Sequence, residues 1–284
     1  MERLGTITAR IESVAQLKEV VAAMRSLAAM RMQQAAEMLN GARRYADIIA
    51  AALSQTLLLD GQSPARPARA GRHALLVFSA EHGFVGGYAE ALSAAAVAAA
   101  PDLILAVGTK GAQSLTDAGR PPDWVIPMAS HAGALPDVAR RVADEVGRRL
   151  GAGEFSSLGA LYGQVREGAR WQVIHQALLP ADLGRFRKGP AGNAPLHHLP
   201  VPDLLARIVE EHLLADLALA ATESLAAENA SRLEAMTTAG DNIDRKLDDL
   251  RDQERILRQE QITDELLDVI NGAELLFGGR RSGR

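Results

Sequence analysis

Residues 7–35, ITARIESVAQLKEVVAAMRSLAAMRMQQA, contain neither glycine nor proline. The helical pattern continues through AEMLNGARRYADIIAAALSQTLLL to about Leu59, interrupted only by Gly41. At 1.5 Å per residue this predicts a helix of roughly 80 Å, several times the usual length. Ile7, Ile11, Val14, Val21, Ala28, Met32, Ala35 and Leu39 follow a 4-3 spacing, with Lys18 and Arg25 interrupting the seam. Leu17, Val20, Met24 and Leu27 add a neighbouring stripe, so the apolar face is wider than one seam. Such a helix cannot bury its own face and needs a partner.

The other end of the chain offers one. From Pro202 to about Leu276 there is no further proline, and only Gly240 and Gly272 interrupt a helix-favouring run. Leu233, Met236, Ile243, Leu247, Leu250 and Leu257 keep a helical spacing, while DRKLDDLRDQERILRQEQ is densely charged between them. Two long helices, expected at 1–60 and 202–277, predict an antiparallel coiled coil. The sequence does not set its register, and Val21 with Leu257 serves as a trial level. GQSPARPARAGR (61–72) and GRFRKGPAGNAPLHHLPVP (184–202) read as breaks on either side of a middle domain.

That domain, expected at 73–182, alternates strands and helices. HALLVF (73–78) and DLILAVG (102–108) are short apolar runs of the buried parallel kind, with YAEALSAAAVAAA between them as a crossover helix. LPDVARRVADEVGRRL (135–150) is a second amphipathic helix, and SLGALYGQV and WQVIHQALL are further strands. The fold class is α/β: a small sheet domain flanked by long helices.

Composition narrows the function classes. Aromatic residues make up 4% of the chain while alanine is abundant, which suits close helix packing better than an aromatic-lined pocket. A net charge of −4 gives no basic field for nucleic acid. The absence of cysteine removes disulfides, thiolate catalysis and cysteine metal sites, and is compatible with a cytosolic compartment. MERLGTITAR lacks the apolar core of a secretory signal, and no apolar run approaches 18 residues.

Candidate sites are weak when weighed singly. EHGFVGGYAE (81–90) places Gly83, Gly86 and Gly87 between a strand and a helix, where phosphate loops sit, yet it matches neither nucleotide-binding glycine pattern. A tight turn is the better reading, and GTKG (108–111) is read as a turn on the same grounds. His197 and His198 adjoin prolines with no further ligand type nearby, so a surface role is expected. The acids of the C-terminal helix alternate with Arg and Lys and read as a solvated face. No nucleophile, base and orienter assemble. No catalytic residue, metal site or cofactor is expected. A nucleotide-binding enzyme and an unrelated coiled-coil adaptor are the two rival classes.

Read together, the pieces resemble one family, the gamma subunit of F-type ATP synthases. At the N-terminus the match is RIESVAQLKEVVAAMRSLAAMRM, followed by RRYAD for R-P-Y-A-E/D. At the C-terminus TESLAAENASRLEAMTTAGDN resembles E-S-x-x-S-E-x-x-A-R-M-x-A-M-x-x-A-x-D-N, and RQEQITDELLDVINGAE resembles R-Q-x-x-I-T-x-E-x-x-E-I-x-x-G-A. VFSAEHGFVGGY is similar to V-x-S-D/T-x-G-L-C-G-G, and VGTKG to I-G-x-K-G. The order is colinear over nearly the whole chain. The chain departs from the family at Glu19, Val21 and Ala22, at Arg31 of MRM, at Val85 in place of cysteine, and at Ala227 before Glu228. It is therefore identified as a divergent bacterial member.

The resemblance implies an antiparallel coiled coil of both termini with a Rossmann-like domain that binds no dinucleotide. It implies a non-catalytic central shaft inside a ring of alpha and beta subunits, standing with epsilon on the membrane c-ring. Membrane association would be indirect, at the cytoplasmic face of the bacterial inner membrane. Ion flow would turn the shaft and change the beta sites in turn. By the same resemblance Arg258, Gln259 and Thr263 contact a beta subunit, and Met24, Arg31 and Met32 belong to the rotor bearing.

Overall fold

In the computed structural model, residues 2–60, 71–166, 170–188 and 196–278 are described. The predicted break at 61–72 lies outside them except for its last two residues, as do 189–195 of the second break. The order is α1 (Glu2–Asp60), β1 (His73–Phe78), α2 (Tyr88–Ala99), β2 (Leu103–Val107), α3 (Thr109–Asp117), β3 (Trp124–Ile126), α4 (Leu135–Gly151), β4 (Ser157–Val165), β5 (Trp171–Leu179) and α5 (Val201–Gly278). Two compact units result. One is Ser26–Ala235; the other joins the start of α1 to α5 from Met236 onward.

The larger unit is built on a five-stranded sheet in the order β3-β2-β1-β4-β5. Strands β1 to β4 pair in parallel, and β5 closes the edge antiparallel to β4. Side chains alternate along a strand, so β1 and β2 are split between two cores. Ala74, Leu76, Phe78, Leu103 and Leu105 face Val138, Val142 and Val146 of α4 and Leu217, Ala221 and Leu225 of α5. Leu75, Val77, Ile104 and Ala106 face Ala89 and Leu92 of α2 and Leu115 of α3. Burial on both faces explains why these strands read as unbroken apolar runs.

Two elements differ from the sequence reading. GTKG is not a turn: Gly108 caps α3, and Thr109, Lys110 and Gly111 form its first turn. Gly108 (φ +113°) and Gly111 are required by close approach, since a Cβ on Gly111 would fall 2.2 Å from the Ser79 Cβ. Strand β3, only three residues long, was not expected, because so short a run carries no period.

Within this unit α1 and α5 run antiparallel: Arg43 meets Glu223 at 2.8 Å, while Tyr45, further along α1, hydrogen-bonds Glu211, earlier on α5. The smaller unit is the two helices alone. Ile243, Leu247 and Leu250 form a buried stripe on α5, and Val21 is buried on α1. Lys18 interrupts the seam but reaches across to Asp244 at 2.6 Å, half-exposed on both sides. That pair fixes the register. Leu257 lies more than three turns beyond Asp244, about 20 Å at 1.5 Å per residue, so it is not level with Val21. The second α1 stripe stays open, with Leu17, Val20 and Leu27 all exposed.

Candidate functional site

In a doubly wound sheet, ligands bind beyond the carboxyl ends of the strands where the strand order reverses, here between β1 and β4. The chain fills that crevice with its own last helix. Every residue of α5 from 220 to 232 is buried, although the run contains Thr222, Glu223, Ser224, Glu228, Asn229, Ser231 and Arg232. Burying such groups is costly unless each finds a partner.

The partners come from the strand ends. Ser224 Oγ donates to the Phe78 carbonyl at 3.1 Å, at the end of β1. The Tyr88 hydroxyl also binds Ser224, with its carbonyl at 3.2 Å as acceptor and its Oγ at 2.8 Å. Burial pushes the Tyr88 phenol well above its ordinary pKa and keeps it a donor. Gly163 of β4 leaves room for this contact: a Cβ there would fall 2.5 Å from the Tyr88 ring and 2.8 Å from the Ala227 Cβ. Glu223 accepts from Arg43 of α1 at 2.8 Å and from Gln164 of β4 at 3.3 Å.

One turn on, α5 grips the glycine loop. Arg232 pairs with Glu228 at 2.6 Å, donates to Asn229 Oδ1 at 3.1 Å, and reaches the His82 and Gly83 carbonyls. Ser231 Oγ donates to the Val85 carbonyl at 2.7 Å. Burial raises the Glu228 carboxyl above the usual carboxylate range, while Arg232 and the Glu81 N–H pull it down. The loop turns through positive φ at Phe84 (61°) and Gly86 (56°), so the tight-turn reading holds. Glu81 then crosses to the next helix. Its carboxylate accepts from the Thr109 N–H at 3.1 Å, the Thr109 hydroxyl at 3.0 Å and the Met128 N–H at 2.8 Å. The N-terminus of α3, where an anion would dock, already holds the chain's own anion.

A family model described as ATP synthase matches residues 3–276. The chain belongs to the ATP synthase gamma-chain family. It is 29% identical to the ATP synthase gamma chain of Paracoccus denitrificans, over 97% of this chain and all of that one. It is 28% identical to that of Fuscovulum blasticum, over the same shares. Among solved structures it is similar to a chain of the Euglena gracilis mitochondrial ATP synthase OSCP/F1/c-ring assembly. There the TM-score is 0.67 and the identity 13%, over 100% of this chain and 97% of that one. A chain of the Tetrahymena thermophila central stalk and c-ring gives 0.57 and 19%, over 78% and 99%. At these identities the structures support the fold alone.

The gamma motif acquires a physical meaning here. Glu223, Ser224, Ala227, Glu228, Ser231 and Arg232 occupy its E-S, S-E and A-R positions, and they are the residues that mount α5 on the sheet. The sequence reading used them only for resemblance. A signal was present: Ser224, Glu228 and Arg232 recur every fourth residue, so polar groups line a helix face that an apolar stripe would otherwise occupy.

The residues expected to meet partners lie apart from this joint. Arg258 is exposed and pairs with Glu254 of its own helix at 2.6 Å. Thr263 Oγ1 donates back to the Gln259 carbonyl at 2.9 Å. Gln259 and Thr263 line a shallow hollow of about 290 Å³ with Ile256, Glu260 and Asp264. Met24, Arg31 and Met32 are half-buried on α1. His197 and His198 are exposed. Among the described residues no three His, Asp or Glu side chains gather as metal ligands, and no helix is long and apolar enough to cross a membrane.

Proposed function

We propose that this chain is the non-catalytic central rotor shaft of a membrane ATP synthase. It couples ion flow through the c-ring to ATP synthesis or hydrolysis at the alpha/beta catalytic sites. Its partners are the alpha and beta subunits, the epsilon subunit and the c-ring, and its membrane association is indirect, at the cytoplasmic face of the bacterial inner membrane. The observation that carries the reading is the far end of α5. Ile256, Ile262, Leu266, Leu267, Val269 and Ile270 are all more than half exposed there. An open apolar surface of that extent marks an interaction site, and family membership supplies the ring that would cover it.

Coupling then rests on differential contact: the shaft meets a different face of the ring at each angle and biases sites that have two states. Arg258, Gln259 and Thr263 are proposed to touch a beta subunit, and Met24, Arg31 and Met32 to lie in the bearing. For Arg258 to engage a partner carboxylate it exchanges Glu254 for it, and such a charged contact contributes about 1.5–3 kcal/mol.

The test is ATP hydrolysis and ion pumping by the reconstituted complex. Arg258→Ala and Gln259→Ala should weaken assembly or coupled turnover with the helix intact, whereas Arg251→Ala, which forms an exposed ion pair with Asp248, should not. Wild-type behaviour of all three returns Arg258 and Gln259 to the solvated face. ATP turnover that stays with the isolated chain after contaminants are removed would overturn the non-catalytic assignment.

A further inference from the structure

Gly41 is the one glycine between Ile7 and Leu59 of the N-terminal helix, and the rotor reading gives it no role. Glycine inside a helix is less favourable than alanine, because it gives up more backbone freedom. Close packing does not require it here: a Cβ built on Gly41 meets nothing within 4 Å. The residue instead lies on the wall of a cavity of about 450 Å³ between α1, α4 and α5, within the range of small-molecule sites. The missing side chain keeps that cavity open.

The lining has a consistent chemistry. Met38, Leu135, Pro136, Ala139, Leu214 and Ala218 make the walls aliphatic, with Tyr45 the one aromatic. Flexible, small and branched aliphatic side chains of this kind suit an alkyl chain better than a flat ring. Three polar groups on the lining are already engaged. The Tyr45 hydroxyl hydrogen-bonds the Glu211 carboxylate, burial and then this contact pushing the phenol up to about 12, and the Thr222 hydroxyl donates to the Ala218 carbonyl at 2.7 Å. Arg140 differs. It belongs to the same lining, is exposed, and pairs with no acid among the described residues. An aliphatic trough with one uncommitted cation at its rim is complementary to a tail with a single anionic head.

We propose that this cavity is a binding site for an aliphatic carboxylate or similar single-anion amphiphile, its chain lying along Gly41 and its head on Arg140. The site is independent of the shaft's coupling role. The probe is cis-parinaric acid, whose fluorescence rises in an apolar cavity, titrated into the full-length chain. Saturable one-to-one binding is expected. Gly41→Leu, which fills the trough while favouring the helix, should weaken it at least tenfold, and Arg140→Gln about fivefold. A neutral alcohol of the same chain length should bind severalfold more weakly than the acid.

Two competition arms separate the sources of the head group. Displacement by monomeric oleate assigns a free fatty acid, and displacement only by phosphatidylglycerol vesicles assigns a lipid. Circular dichroism controls for the fold. Unsaturable binding, displacement in neither arm, or equal affinity in wild type, Gly41→Leu and Arg140→Gln overturns the site. Equal binding of the alcohol overturns the role of Arg140.

Discussion

Helix α5 behaves in opposite ways along its length. Between 220 and 232 it reads AATESLAAENASR, rich in polar groups, and every residue is buried. Between 262 and 270 it reads ITDELLDVI, with five large apolar residues, and every residue is exposed. Hydrophobicity alone would exchange the two. The difference teaches that burial here follows available partners and not polarity. The polar stretch is buried because most of its groups find partners: Ser224, Ser231 and Arg232 at a strand end and the glycine loop, Glu223 on Arg43 and Gln164, and Thr222 and Asn229 on carbonyls of their own helix. The apolar stretch is open because, among the described residues, nothing covers it.

The sharpest way to break this contrast is Arg232→Met. It strands the buried Glu228 carboxylate and releases the loop carbonyls, and should cost about 3–5 kcal/mol by denaturant unfolding. Adding Glu228→Gln should recover a large part of that loss. If the single variant is near wild type, the joint is not held by this pair. Gly163→Ala comes next. With the buried Tyr88 ring 2.5 Å from the new Cβ and Ala227 behind it, overpacking of about 1–3 kcal/mol is expected, visible as a lower Tm.

The open end should respond in the reverse way. Leu266→Ser with Leu267→Ser should leave the isolated chain within about 0.5 kcal/mol of wild type, since both side chains are already in water. The same change should weaken assembly with alpha and beta subunits measurably by co-purification. Loss of stability without loss of assembly would show that this face is covered by the chain itself.

Smaller effects sharpen the register and the charge assignments. Lys18→Cys with Asp244→Cys should be bridged by a short bis-maleimide reagent, while Val21→Cys with Leu257→Cys should not. Removing the Lys18–Asp244 pair by Lys18→Ala should cost about 0–1 kcal/mol, as exposed pairs do. On α4, Arg148 and Arg149 hold the Glu145 carboxyl down to about 2 by hydrogen bonds and charge. Its folded pKa is depressed, so its contribution is full above the ordinary carboxylate value and fades as pH falls from there toward 2. Arg149→Ala should flatten that acid limb of the Tm–pH curve slightly.

Much of the fold was legible because it rests on period. The 4-3 spacing from Ile7 to Leu39 and the apolar runs at 73–78 and 102–108 report local structure that needs no tertiary knowledge. Strand β3 and the start of α3 were not legible, since three residues carry no period and GTKG, read as a turn, opens a helix instead. The register was illegible for a related reason. A repeating stripe fits its partner at every heptad, and specific contacts such as Lys18–Asp244 select one level.

The sequence by itself therefore determined that this chain has two long helical ends around a small α/β sheet, and, through colinear motifs, its family. Periodicity and motif order are properties of the chain alone. What only the tertiary structure decided is the use of those motifs. Glu223, Ser224, Glu228 and Arg232 are charged or polar on a helix, and in isolation such residues belong in water. The crevice between β1 and β4 supplies Phe78, Tyr88, Gln164 and the 81–86 loop as partners, and so turns the place where this fold takes a ligand into the mount for α5. No pattern within α5 could specify those partners, because they come from strand ends and a loop more than fifty residues away in the chain.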